Sequence, residues 1–246
     1  MIYVNGCSYT INDSGDKKNF GNYLSEIRNT ELIHRGIQGS CNDRIFRTTT
    51  RDLLNLHAQN VKDVIVLVSL TFWFRTELWY EDHNLEKWYK FGDSDGQFIS
   101  ISPVKNSTWK ISDYFTLDKK DKIPSEIKNY LKYFVLTKNR DGSIIKILHN
   151  AVLLNRFCND IGYKLIIFYG ADDTKDTRGV DKTMPAIIDF KKELDKSNSF
   201  DLLDFSFCEY YYKLGHKPYD YDINGKYGHH GSKVHKLFAE KLNEKI

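Results

Sequence analysis

Four short polar segments of this chain carry the side chains that acyl transfer needs. The first is Asn5-Gly6-Cys7-Ser8-Tyr9-Thr10. The second is Gly36-Ile37-Gln38-Gly39-Ser40-Cys41-Asn42. The third is Ser69-Leu70-Thr71, followed by Phe72-Trp73-Phe74-Arg75-Thr76-Glu77. The last is Tyr227-Gly228-His229-His230-Gly231-Ser232. A serine, a glycine with a free amide and a histidine supply a nucleophile, an oxyanion donor and a general base. Each also has a plainer role. Ser8 fits a helix cap, Gly39 a simple turn, His229 a surface loop, and Thr71 a hydroxyl bonded to backbone. Cys7 is a rival nucleophile or a small buried apolar residue. His229 and His230 are adjacent, which suits one metal ion poorly. No carboxylate or cysteine stands near them at ligand spacing, so no metal is expected.

The elements around these segments place them at one edge. Ile2-Tyr3-Val4 reads as a strand, Phe20 to Arg28 as a helix, and Glu31 to His34 as a second strand. Asn42 or Ser40 is positioned to cap a helix reaching about Ala58, with Ile45, Phe46, Thr49, Leu53 and Leu56 on one face. Asp63 to Val68 reads as a strand buried on both faces, as in a parallel sheet. This β-α-β-α-β order predicts an α/β fold, where ligands collect at the carboxyl ends of strands. The first three polar segments follow strands directly, and the last stands just before the final helix. Residues from about 78 to 124 break the rhythm with Trp79, Tyr80, Trp88, Tyr89 and Trp109. They read as an irregular aromatic-rich insertion with a small hairpin around Gln97 to Ser102. Helices are then expected over Ser125 to Lys138 and Asp141 to Asn159, the latter ended by Gly162. Tyr163 to Tyr169 reads as a strong strand, Asp201 to Phe205 as the last strand, and Ser232 to about Asn243 as the final helix. No repeat or linker interrupts residues 1–246, so one domain with an insertion is expected.

Composition bounds the function. The 246 residues carry 36 Lys+Arg and 33 Asp+Glu, a net charge of +3, with 41% hydrophobic residues. That balance excludes a strongly basic nucleic-acid coat protein and an acidic solvating chain. Nucleic acid is not an expected partner. No apolar run approaches the ~20 residues that span a bilayer, and Met1 to Thr10 lacks the form of a signal peptide. A cytoplasmic location without membrane association is expected. The four cysteines are far apart and lack a C-x-x-C pair, so free thiols are expected. The aromatic run Phe72, Trp73, Phe74, Trp79, Tyr80, Trp88, Tyr89 offers either a stacking surface for sugars or bases, or cover for the core. Tyr210-Tyr211-Tyr212 has the same two readings.

The ordered segments resemble those of the SGNH (GDSL-like) hydrolases over nearly the whole chain apart from the insertion. Asn5-Gly6-Cys7-Ser8 is similar to the block where Gly-Asp-Ser places the nucleophile. Gly36 to Asn42, with Arg44 following, resembles the block whose glycine amide donates to the oxyanion. His229-His230-Gly231-Ser232-Lys233-Val234-His235 with Ala239 resembles the closing block. The opening and closing blocks are most similar to versions in uncharacterised phage-encoded proteins, which would place the chain in host cytoplasm or a virion. The resemblance implies a three-layer α/β/α sandwich with a parallel flavodoxin-like sheet. It implies Ser8 as nucleophile, His229 as base, His235 as a structural helix residue, and Gly39 and Thr71 as oxyanion donors. Three positions depart from the pattern. Cys7 replaces Asp, Thr71 replaces the oxyanion Asn, and Lys226 stands where the triad Asp belongs. Asp222 or Asp220 would reach His229 through a longer loop. The alternative is a Ser-His dyad with a backbone carbonyl holding the ring tautomer.

The resemblance thus implies an esterase or deacetylase, removing an O-acyl group from a carbohydrate or similar polar small molecule without metal or cofactor. Asn42, Arg75 and Trp73 are its candidate substrate-binding residues, and Arg75 also brings positive charge toward the oxyanion. The alternative is a catalytically silent protein of the same fold, binding or virion-associated, that contacts sugar, protein or nucleic acid through the insertion.

Overall fold

The computed structural model describes residues 1–11, 18–37, 39–79, 98–101, 129, 133, 139–170, 180–216 and 230–246. Strand β1 (Ile2–Asn5) is buried along its whole length and leads into a 3-10 turn at Ser8–Thr10. Helix α1 (Phe20–Arg28) starts at a capping box. The Asn19 side chain accepts from the amides of Gly21 and Asn22, and the Asn22 side chain accepts from the Asn19 amide. Strand β2 (Leu32–His34) follows. Helix α2 (Asn42–Ala58) has the expected length and apolar face, but its cap is Cys41, whose Sγ accepts from the Arg44 amide. Neither Ser40 nor Asn42 caps it, because both side chains turn to other partners described below. Strand β3 (Ile65–Leu70) is buried on both faces, as its apolar run predicts.

The expected insertion opens with an antiparallel pair. Strand β4 (Thr76–Trp79) pairs with β5 (Phe98–Ile101), with Thr76 opposite Ile101 and Trp79 opposite Phe98. The strand near Gln97 to Ser102 therefore exists, but its partner is the segment leaving β3 rather than a local hairpin. The rest of the insertion and most of the helix expected over Ser125 to Lys138 lie outside the described residues. Helix α3 (Arg140–Asp160) is capped by Asn139 and ends at Gly162, which takes a φ of 76°. Strand β6 (Lys164–Tyr169) and helices α4 (Pro185–Leu194), α5 (Phe207–Lys213) and α6 (Ser232–Lys245) complete the described elements.

The sheet order is β2-β1-β3-β6, with all neighbours parallel. Apolar side chains alternate between its faces with the strand period. Tyr3, Val66, Val68, Leu165 and Ile167 pack against α2, α3 and α4. Ile2, Val4, Leu67, Ile166 and Phe168 pack against α1, α5 and α6. The result is mixed α/β with a parallel sheet between two helical layers. The second layer is rich in aromatics, with Phe238 centred 4.8 Å from Phe168 and 4.7 Å from Phe207.

The expected last strand, Asp201 to Phe205, is corrected. Phe200 donates to the Ile167 carbonyl, and Ser206 forms one parallel bridge to Tyr169. Between these two points the chain turns, because the Asp201 carboxylate accepts the Leu203 amide at 2.9 Å and its carbonyl accepts the Phe205 amide. An aspartate that bonds the amide two residues on favours a turn over a strand.

Candidate active site

From β1, the chain steps one way to β2 and the other way to β3. The reversal of strand order lies between β1 and β3, where open parallel sheets leave a crevice at their carboxyl ends. Ser8 begins the 3-10 turn just beyond β1 and is 2% exposed. The turn is closed by Thr10, whose amide and hydroxyl both donate to the Cys7 carbonyl, at 3.0 and 2.8 Å. Among the described residues, neither the Ser8 hydroxyl nor the Ser8 amide has a hydrogen-bond partner.

Three glycines let this turn lie close across the strand ends. A methyl group on Gly6 would lie 2.8 Å from Ser69 Cβ and would collide with Thr10. One on Gly36 would run into the Thr10 hydroxyl, and one on Gly170 into Ser69 Oγ. Each glycine stands within two residues of the end of its strand. That recurrence was the available sequence signal, and it was missed for Gly170.

A buried polar latch, also missed, holds β1 to α2. Asn5 Oδ1 accepts from the Gly6 amide at 2.8 Å. Asn5 Nδ2 lies 2.8 Å from Thr48 Oγ1 and 2.9 Å from Thr49 Oγ1. Tyr3 donates its hydroxyl to Asp52, which also receives Arg35. Burial, and then the Asp52 carboxylate, push the Tyr3 phenol above its ordinary pKa, so it remains a donor.

The second loop is tied to the first where Ile37 donates to the Gly6 carbonyl. Gly39 has a φ of 78°, in the left-handed region that glycine tolerates. Its amide has no hydrogen-bond partner among the described residues. Arg44 Nη1 donates to Ser40 Oγ. Asn42 and Thr71 exchange two bonds. The Thr71 amide donates to Asn42 Oδ1 at 2.8 Å, and Asn42 Nδ2 donates to the Thr71 carbonyl at 2.9 Å. Arg75 Nη1 reaches Thr71 Oγ1 at 3.0 Å and the Ser40 carbonyl at 3.2 Å, and its guanidinium lies 4.7 Å from the Phe72 ring centre. The Thr71 amide is therefore engaged, and its hydroxyl oxygen accepts from Arg75 while keeping its own proton.

Asn42, Trp73 and Arg75 line one cavity of 320 Å³. Its lining also takes in the start of α3, through Asn139, Ser143 and Lys146. The α3 wall was not legible in the sequence, since nothing in its spacing relates it to β3. Trp73 also packs against the core, so covering the core and lining a cavity coexist in it. Phe72 stacks on Phe74 and meets Tyr9 edge-on.

His229, Asp222, Asp220 and Lys226 lie outside the described residues. Their neighbour His230 is buried, with Nε2 3.1 Å from the Cys208 carbonyl. A carbonyl only accepts, so that nitrogen carries the proton. His235 Nδ1 accepts the Phe20 amide at 3.2 Å, and its ring stacks on Phe20. It joins the first turn of α6 to the first turn of α1. His34 Nε2 donates to the Thr10 carbonyl, and burial holds its pKa below the ordinary value. The four cysteines form no disulfide and are buried, and burial pushes Cys158 up to about 12. Among the described residues, no cluster of three or more His, Cys, Asp or Glu is placed to hold a metal ion. No described helix is long and apolar enough to cross a membrane.

No protein-family profile matches the chain, and no curated protein matches it. Among solved structures it is similar to one from Desulfitobacterium hafniense DCB-2, named as a candidate lipolytic protein of the G-D-S-L family. The identity is 12% over 100% of this chain and 98% of that one, with a TM-score of 0.38. At that level the chemistry has to be argued from the chain's own residues.

Proposed function

We propose that the protein is a serine hydrolase of the SGNH type that removes an O-acyl group from a carbohydrate or similarly polar small molecule. The observation that carries this reading is the free amides of Ser8 and Gly39, on loops joined where Ile37 donates to the Gly6 carbonyl. Ser8 sits at the strand-order reversal, and the amides of Ser8 and Gly39 have no partner among the described residues. Donors held without partners are what an oxyanion site requires.

In this reading Ser8 Oγ attacks the ester carbonyl while His229 takes its proton. The Ser8 and Gly39 amides, with the Thr71 hydroxyl, hold the oxyanion. Collapse expels the alcohol, which receives the proton from His229. Water then repeats the sequence on the acyl-enzyme and frees the acid. Asp222 orients the His229 ring, or a backbone carbonyl does so in a dyad. Asn42, Trp73 and Arg75 bind substrate. The mechanism uses no metal or cofactor.

One observation favours the second reading, a catalytically silent binder of the same fold. The Thr71 amide is already held by Asn42, which leaves the third oxyanion position with one hydroxyl proton.

The test is intact mass after treatment with a fluorophosphonate. A single adduct on the native protein, absent from Ser8→Ala and His229→Ala, is the expected result. No adduct on folded native protein, with the small probe phenylmethylsulfonyl fluoride also unreactive, overturns the esterase reading in favour of the binder.

A further inference from the structure

The 320 Å³ cavity beside Thr71 has walls of distinct chemistry. The lining presents Trp73 and Arg75, the latter 8% exposed. The lining also presents Lys146 from α3. Lys146 Nζ lies 2.6 Å from Asp43 Oδ1, and Thr76 donates its hydroxyl to Asp43 Oδ2. Both oxygens of the carboxylate are thus engaged within the wall. Among the described lining residues there are two cations, Arg75 and Lys146, and one carboxylate, Asp43. Because Lys146 pairs with Asp43, the described lining keeps one surplus positive charge, that of Arg75, beside the Trp73 indole and the polar Asn42 and Ser143. Its volume falls within the range of small-ligand sites.

We propose that this cavity binds a sugar-sized ring bearing one oxyanion, a carboxylate or a phosphate. The ring lies against Trp73, and the oxyanion sits between Arg75 and Lys146. The inference rests on the esterase reading in one respect: it makes the substrate an anionic carbohydrate ester. Arg75 is then a specificity residue, since a guanidinium already fixed by Ser40 and Thr71 meets an oxyanion with little further ordering.

The test follows the indole N–H resonance of Trp73 by NMR, assigned with Trp73→Phe. The probes are methyl glucuronoside, glucose 6-phosphate and the neutral methyl glucoside. At least one anionic probe should shift the resonance and bind about tenfold more tightly than the glucoside, the equivalent of one favourable charge contact. Added salt should erode that preference. Lys146→Gln and Arg75→Gln should each abolish it, and Asp43→Asn should strengthen it. The two anionic probes tell a carboxylate site from a phosphate site. Equal binding of all three probes, or no shift with any, overturns the proposal. Should Arg75→Gln fail to fold, the exposed Lys146 position decides alone. Labelling at Ser8 is read separately. A Trp73 response without a Ser8 adduct leaves an anionic-sugar binder. A Ser8 adduct without a Trp73 response leaves an esterase with a different substrate.

Discussion

Replacing Asn5 by Ala removes a side chain that joins the turn carrying Ser8 to α2. Asn5 is fully buried, accepts the Gly6 amide, and lies within donor reach of two threonine hydroxyls. Losing the two threonine bonds costs about 1 kcal/mol each, and a buried Gly6 amide without an acceptor costs about 1–3 kcal/mol more. The total, about 3–5 kcal/mol, is a large part of a typical stability of about 5–15 kcal/mol. For a chain of this size each kcal/mol moves the melting temperature by about 2–4 °C, so a fall of about 6–20 °C is expected. Asn5→Asp separates the two halves of the latch. It keeps an acceptor for Gly6 but places a carboxylate where no water reaches. Burial raises that carboxyl's folded pKa above its unfolded value of about 3.9. The folded form then holds a proton that the unfolded chain releases. The variant's deficit should therefore be small below about pH 4 and grow as pH rises toward the folded pKa. Urea unfolding followed by circular dichroism at several pH values measures both effects. An Asn5→Ala deficit under about 1 kcal/mol, or an Asn5→Asp deficit that ignores pH, would refute the latch.

Gly170→Ala should cost about 1–3 kcal/mol by overpacking, because the new methyl runs into Ser69 Oγ and lies 3.0 Å from Tyr9 Cβ. Ser69 Oγ is buried without a hydrogen-bond partner among the described residues, so Ser69→Ala alone should be nearly neutral and should restore much of the loss in the double variant. A thermal-melt double-mutant cycle reads the coupling, and additive effects would show that the contact is not tight. His34 has a depressed folded pKa through burial, so the unfolded chain binds its proton first as pH falls. Its contribution to stability should be present above the unfolded value of about 6.5 and be lost as pH drops toward the folded pKa. His34→Gln, which keeps a donor for the Thr10 carbonyl, should flatten that slope in urea titrations, and an unchanged slope would assign it to another group.

The parts of the fold that were legible in the sequence are those set by local periodicity. The apolar runs at Ile65–Leu70 and Lys164–Tyr169 had no solvated face, which only a sheet covered on both sides permits. Ile144, Leu148, Ala151, Leu154 and Cys158 recur at helical spacing, and all are buried in α3. What escaped was decided by contacts distant in sequence. Ser40 and Asn42 have the residue types of a cap, yet Arg44 and Thr71 claim their side chains, and the weaker acceptor Cys41 takes the cap. Asp201 to Phe205 has the apolar content of a strand, but one carboxylate bonding forward to Leu203 was enough to turn it. The latch at Asn5 joins residues more than forty positions apart, a relation no spacing rule encodes. The antiparallel pairing of β4 with β5 likewise crosses a long intervening segment.

The exchange between Asn42 and Thr71 bears on what the esterase reading asks of residue 71. An asparagine at position 71 would bring an amide donor on a longer arm. Here an asparagine is present instead on the facing helix, and both ends of its amide are held by the backbone of residue 71. That clasp fixes the end of β3 and occupies the Thr71 amide. What remains at Thr71 is a hydroxyl whose oxygen accepts from a buried guanidinium. Accepting from a cation polarises the hydroxyl and strengthens it as a donor. Removing a single oxyanion donor outright lowers turnover by about 10²–10³-fold. In the esterase reading, two amides and one polarised hydroxyl should therefore lose less than that. In that reading Thr71 and Arg75 act together. Arg75 would be the compensation for the missing asparagine, and Arg75→Gln should slow fluorophosphonate labelling of Ser8 more than Lys146→Gln does.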